Sequence, residues 1–385
     1  DDVNEEFEPD LDETSTQLNT NQSGIYQILM LNGTGVTSYT FNVTINSGTC
    51  NQQTVPGPNN INNNIVEIDW GDGDIELYDN EIGTNVSHTY STSGTYTVKV
   101  KGNFEFFENL TWVESVENWG DSQFEGKNMF NSNTNNIQFN TTTIPNIKGD
   151  CTSMFENATS FNQSLNSWNV SVIENMSSMF KAAANFNQSL DSWNVSYVTN
   201  MNSMFLKAVN FNQSLDSWNV SNVTNMNSMF MEAVNFNKNI DNWERNTTGD
   251  QSTLINVTDM GSMFKSANSF NQPLNTWNVS NVINMNSTFM GKGRDALYDF
   301  NQPLNSWNVS NVIDMSSMFT GATSFNQDIG NWNTSAVTDM SSMFNNATAF
   351  NQDIGNWNTS AVTDMSSMFR DATSFDKDIS DWCVL

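Results

Sequence analysis

The residues that could do chemistry in this chain are few. There is one histidine, His88, set in the phrase Ser87-His88-Thr89-Tyr90. A lone histidine of this kind reads as a structural hydrogen-bonding group rather than a general base, and the Ser-His-Asp class of hydrolysis is left without support. The 42 acids offer many carboxylate pairs, but most sit at repeating or tail positions. A catalytic pair needs two carboxyls held in different environments, whereas equivalent positions of stacked repeats share one. The chain therefore reads as non-enzymatic. The three cysteines, Cys50, Cys151 and Cys383, lack the paired spacing of a zinc site or a disulfide framework. One bridge with a thiol left over and three free or packed thiols both remain open.

A column of short polar residues recurs at a nearly fixed interval: Asn175, Asn200, Asn225, Asp259, Asn284, Asp314, Asp339 and Asp364. A second, Asp328, Asp353 and Asp378, is acidic in the same region. If the intervals stack, neighbouring carboxylates lie about 5 Å apart and repel unless they splay into water, cap a helical turn or share a cation. Capping explains the Asn/Asp alternation, since both accept N–H bonds at a helix start. Asp314, Asp339 and Asp364 are the candidates for calcium. The cations Arg245, Lys292 and Arg294 stand out on a chain of net charge −29, as a recognition patch or as solvated charge.

The elements that position these residues are repeats. Phe-Asn-Gln begins at Phe161, Phe186, Phe211, Phe270, Phe300, Phe325 and Phe350, with variants at Phe236 and Phe375, and a tryptophan follows each seven residues later, from Trp168 to Trp382. The step is 25 residues except at two places, where nine residues are inserted after Trp243 and five after Phe289. Such periodicity marks a solenoid whose units bury their apolar faces only against one another. In one unit Val337, Met340, Met343, Phe344, Ala347, Phe350, Ile354 and Trp357 fill the interior. Asp339 to Phe344 suits a short helical turn, and the alternation from Asn351 to Trp357 suits a strand in a parallel sheet. Each tryptophan N–H should find a carbonyl in the neighbouring coil, and the Asn after each Phe should form a ladder from coil to coil.

Upstream the texture differs. Residues 1–21 form an acidic leader that cannot bury enough apolar surface to order itself. Residues 22–103 alternate apolar and polar positions in short runs broken by Gly71-Asp72-Gly73 and Ser93-Gly94, the pattern of antiparallel strands. Ile68-Asp69-Trp70-Gly71-Asp72-Gly73, Ser87-His88-Thr89-Tyr90 and Gly94-Thr95-Tyr96-Thr97-Val98 closely resemble the motifs of polycystic-kidney-disease-type (PKD) domains. That resemblance implies an immunoglobulin-like β-sandwich. Residues 104–385 are the repeat array, about ten units.

The array resembles the BspA-like leucine-rich-repeat surface proteins, in the subgroup whose units read Val-Thr-Asp-Met-Ser-Ser-Met-Phe and then Phe-Asn-Gln. Trp119-Gly120-Asp121 looks like that family's opening segment. The resemblance implies a fold of leucine-rich-repeat character and a secreted or cell-surface adhesion protein, though not a ligand; protein or glycan partners are expected because an elongated array supplies area without a large globular core. The expected fold class is thus mostly β with short helical turns, a sandwich followed by a solenoid. Strong negative charge disfavours nucleic acid, and no run approaches the length of a spanning helix, so membrane insertion is not expected. The chain starts at Asp1 with no signal segment and reads as a mature or trimmed product. The rival reading is a structural subunit of a filament or virion surface. It would self-associate through the mid-repeat end at Trp382-Cys383-Val384-Leu385, with the acidic leader as a strap.

Overall fold

The structure, a computed structural model, describes residues 16–20, 26–30, 39–45, 53–56, 65–79, 87–90, 92, 94–101, 107, 109–111, 113–120, 123–244, 254–291 and 298–383. It is built mostly of strands, turns and loops. Its one helical element among the described residues is a 3-10 turn at Asp241–Glu244.

Strands β1 (Thr16–Thr20) and β2 (Tyr26–Met30) form an antiparallel pair. Six strands make the main sheet: β3 (Tyr39–Ile45), β5 (Ile65–Asp69), β6 (Ile75–Asp79), β8 (Gly94–Lys101), β9 (Val113–Asn118) and β11 (Gln138–Phe139). Their order is β11-β9-β3-β8-β5-β6, antiparallel throughout except for the parallel β11–β9 pair. β4 (Gln53–Pro56) pairs with β7 (Ser87–Tyr90) apart from that sheet. The expected alternation is seen where side chains are described: Val66, Ile68, Trp70, Val98 and Val100 are buried, while Glu67, Asp69 and Lys99 between them are not. The turn after β5 requires Gly71, whose φ is +80 and whose absent Cβ would lie 2.6 Å from the Thr97 carbonyl oxygen. The sheet does not stop at residue 104. β9 hydrogen-bonds to β3, so the first segment of the array is continuous with the N-terminal strands.

Three short parallel strands, β10 (Phe124–Glu125), β12 (Ile147–Asp150) and β13 (Ile173–Asn175), lead into the stacked units. From there single parallel bridges join Asn175, Asn200, Asn225, Asp259, Asn284, Asp314, Asp339 and Asp364 in turn. The parallel ladder therefore runs through the Asn/Asp column. The strand expected over Asn351 to Trp357 does not form; that segment is loop and turn.

The helical turn expected at Asp339 to Phe344 is also replaced. Alternate N–H groups leave the unit: Met340, Ser342, Phe344 and Asn346 donate to Asp364, Ser366, Met368 and Arg370 carbonyls of the next unit at 2.7–2.9 Å. The N–H groups between them close tight turns, as from Met343 to Met340 and from Asn345 to Ser342. This alternation needs left-handed residues, and Ser342 (φ 56) and Asn346 (φ 58) supply them. The same two columns are left-handed along most of the array, the first always serine from Ser153 to Ser367 and the second including Ala182, Lys207, Glu232 and Gly321. Four inter-unit bonds per unit outweigh the cost of two strained residues.

The core is a set of columns. In one unit Met201, Met204, Phe205, Ala208, Phe211, Leu215, Trp218, Val220 and Val223 are all buried. Phe205 stacks on Phe211 at 4.1 Å within the unit and on Phe180 and Phe230 of the neighbours at 5.5 and 5.6 Å. Tryptophans stack from unit to unit, Trp193 on Trp218 at 6.4 Å and Trp332 on Trp357 at 6.2 Å. In the final unit Phe369, Phe375, Ile379 and Trp382 are only partly buried. The insertions leave the register intact. The tryptophan N–H bond to the preceding unit spans 28 residues at Trp243 but 37 at Trp277 and 33 at Trp307, the excess matching the inserted residues.

Candidate functional site

Polar side chains on the array are organised by the same stacking. The Asn after each Phe turns its Oδ1 toward the next unit, where it accepts a backbone N–H. Asn187, Asn212 and Asn237 donate in this way to Asn162, Asn187 and Asn212 at 2.9, 2.9 and 3.0 Å. The ladder continues without a break through Asn271, Asn301, Asn326 and Asn351 to Asp376. Glutamine side chains reinforce it: Gln188, Gln213 and Gln272 donate Nε2 to the Oδ1 of the preceding unit's Asn at 2.8–3.1 Å. The expected indole bonds form as well. Trp193, Trp218 and Trp332 donate Nε1 to the carbonyls of Leu165, Leu190 and Leu304 at 2.9, 3.1 and 3.0 Å.

Beside this ladder runs a second, shorter amide row that the sequence reading missed. Asn210 donates Nδ2 to Asn185 Oδ1 at 3.3 Å, and Asn235 to Asn210 at 3.4 Å. The signal was present as the Asn preceding Phe in three successive units, a position held by Ser, Asp or Ala elsewhere. Between the rows lies a groove of about 840 Å³, walled by Asn162, Asn187 and Asn212 on one side and Asn185, Asn210 and Asn235 on the other, with Asn136, Ser160 and Gln163 completing the lining. Every lining side chain is an uncharged amide or a hydroxyl.

The acidic column behaves differently. Asp314, Asp339 and Asp364 lie in bridged succession, but each Oδ1 accepts the backbone N–H two residues on, from Ser316, Ser341 and Ser366, at 2.8 Å. Those bonds, from the Ser366 amide first and its hydroxyl second, hold the Asp364 carboxyl below the usual carboxylate range. The carboxylates thus close turns rather than cap a helix, and the structure does not draw the three into one ligand set. Asp328, Asp353 and Asp378 accept from Gly330, Gly355 and Ser380 in the same manner.

Among the described residues, the group able to present three ligand atoms within 4.8 Å of one another is Asp72, Asp74 and His88. Its tightest contact is internal: His88 Nε2 lies 2.7 Å from Asp72 Oδ2. The imidazole, 8% exposed, stacks on Trp70 at 4.9 Å and meets the edge of Tyr90 at 4.7 Å. Tyr90 in turn donates its hydroxyl to the Trp70 carbonyl at 2.8 Å, and burial pushes its pKa upward. Burial also raises the Asp72 carboxyl, but the His88 hydrogen bond, the Asp74 amide and the His88 charge together outweigh that and leave it below its ordinary value. His88 is thus the hydrogen-bonding lock of the turn after β5. Neither Asp72 nor Asp74 was singled out from the sequence.

Arg245, Lys292, Arg294 and Cys50 lie outside the described residues. Cys151 is a free, buried thiol, and Cys383 is free and exposed. Burial raises the Cys151 pKa to about 12, with the Gly126 backbone opposing.

Stacked units, unit-to-unit ladders and a core of repeated columns define a tandem-repeat protein. The model of the family DUF285, Mycoplasma protein of unknown function, matches the chain at residues 74–183, 149–255, 247–334 and 290–385. The chain belongs to this family. No curated protein and no solved structure matches it. No helix among the described residues is long and apolar enough to cross a membrane.

Proposed function

We propose that this chain is a secreted or surface-displayed, non-enzymatic binding protein. Its stacked array is a solenoid of leucine-rich-repeat character, akin to the BspA-like adhesion proteins, and its N-terminal strands are a PKD-like sandwich that serves as a spacer. The array presents a long, regular face to a protein or glycan on another surface. The observation that carries this reading is the unbroken run of inter-unit hydrogen bonds from Asn162 to Asp376. It fixes polar groups at constant spacing over many units, which gives extended binding area without a large globular core.

Two measurements test it. Antibody raised against the array should label intact, unpermeabilised cells or particles of the source; label that needs permeabilisation overturns surface display. Fluorescent purified chain should bind a target cell or matrix saturably, and absence of saturable binding across such surfaces overturns the adhesive role. The self-assembling alternative predicts ordered polymers by light scattering, and a stable monomer at high concentration dismisses it.

A further inference from the structure

We infer that the amide groove across the units from Asn136 to Asn235 is a binding site for an uncharged, extended β-linked polysaccharide. The inference rests on the binding role proposed above and names the ligand class. Three features of the groove converge on it.

The first is charge. The groove walls carry no ionic side chain although the chain bears a net −29. A polyanion is repelled by the surrounding field, and a polycation gains more from the carboxylate columns than from neutral amides. A neutral ligand meets neither penalty.

The second is hydrogen-bond polarity. The Oδ1 atoms of Asn162, Asn187 and Asn212 are each taken by a backbone N–H of the next unit. Their Nδ2 groups make no hydrogen bond within the described protein, so this wall offers donors in excess of acceptors. A peptide strand brings N–H donors and C=O acceptors in equal number, so its N–H groups find the acceptors of this wall already engaged. Each sugar hydroxyl offers two acceptor lone pairs against one donor, and ring and glycosidic oxygens only accept, so a glycan carries a surplus of acceptors that matches the unused donors.

The third is spacing. The phenylalanines between the two walls, Phe161, Phe186, Phe211 and Phe236, repeat at 5.8–6.0 Å from unit to unit, a step of the order of the length one hexose occupies in an extended β-linked chain. Successive sugars can therefore meet successive asparagines over the few units that the groove crosses. Four such steps separate Asn136 from Asn235, so the groove spans about 24 Å and accommodates roughly four sugars.

The test uses the full chain, with tetramers of β-1,4-linked glucose and N-acetylglucosamine as probes and with heparin and a basic peptide as comparison ligands. Binding is followed by ligand-observed NMR and calorimetry. The variants are Asn187→Asp and Asn212→Asp, which keep the ladder acceptor but exchange the Nδ2 donor for a carboxylate oxygen. Each should weaken neutral-glycan binding at least tenfold with an unchanged unfolding midpoint. Asn326→Asp, at the same ladder position outside the groove, should bind as the parent does. Failure of every neutral glycan to bind the folded chain, unchanged binding by the two groove variants, or preference for heparin or the peptide would overturn the inference. Cell or matrix attachment that survives both groove variants would leave the adhesive role standing while this site falls.

Discussion

Two adjacent alanines should respond to glycine in opposite directions. Ala182 is held at φ 56, where an L-residue pays about 1–2 kcal/mol relative to the right-handed region. Its N–H donates to the Leu206 carbonyl at 2.7 Å, and glycine would keep that bond. Replacement by glycine removes the steric cost and adds about 0.5–1 kcal/mol of unfolded-state entropy. Ala182→Gly should thus stabilise by about 0.5–1 kcal/mol, and Gly321 (φ 68) already occupies the equivalent position in a later unit. Ala183 is fully buried and is not among the left-handed residues. Ala183→Gly should cost about 1–2 kcal/mol through a lost buried methyl and added chain entropy. Urea unfolding followed by tryptophan fluorescence reads both. Midpoints of parent and variants are compared directly, because an array need not unfold in one step. If Ala182→Gly lowers the midpoint as Ala183→Gly does, the left-handed turns are not what the stacking requires, and the account of the unit fails.

Other perturbations isolate other parts of the architecture. Trp218→Phe removes the indole donor to Leu190, leaves that carbonyl with the Trp193 N–H as its remaining partner and should destabilise by about 0.5–1.5 kcal/mol, with amide exchange quickening in the two units it joins. Deleting residues 245–253 restores the 25-residue step and should shift the unfolding midpoint by under about 1 kcal/mol, since loop length enters closure entropy only weakly; a collapse of the array would show that the insert is structural. The depressed Asp72 carboxyl contributes stability that is present above the unfolded carboxylate value and is lost as pH falls through its folded value. The acid limb of the pH–stability curve should therefore be shallower in Asp72→Asn than in the parent, and identical limbs would contradict the His88–Asp72 lock.

The core was legible because each apolar column repeats at a fixed step, so any one unit interprets the rest. The asparagine ladder and the indole bonds were legible for a related reason: a polar atom recurring among stacked units must meet its equivalent. The conformation of the unit was not. Serine at the first left-handed column carries no sign of positive φ, as a glycine would, so Asp339 to Phe344 reads as a helical turn. The alternation from Asn351 to Trp357 mimics a strand, yet its N–H groups are partly met by the Asn326 side chain rather than by a neighbouring strand. The partnership of His88 with Asp72 spans 16 residues and depends on how β7 lies beside the turn after β5, which spacing alone does not reveal. The groove was missed because its second wall exists in only three units, where it looks like local composition.

The acidic column closes the question of calcium by experiment. Asp339 stands between Asp314 and Asp364, and like charges on successive stacked units repel. Asn occupies the same column at Asn200, Asn225 and Asn284 and makes the same bond to the N–H two residues on. Asp339→Asn therefore removes repulsion from two sides and surrenders only the charge-assisted part of one hydrogen bond. It should stabilise the chain by roughly 0.5–1 kcal/mol at low salt, and the gain should fade as ionic strength rises. Addition of calcium should leave the unfolding midpoint of the parent where it was. If the carboxylates share a cation instead, calcium will raise the parent's midpoint and Asp339→Asn will abolish that rise, and the turn-closing role assigned to these residues would then be wrong.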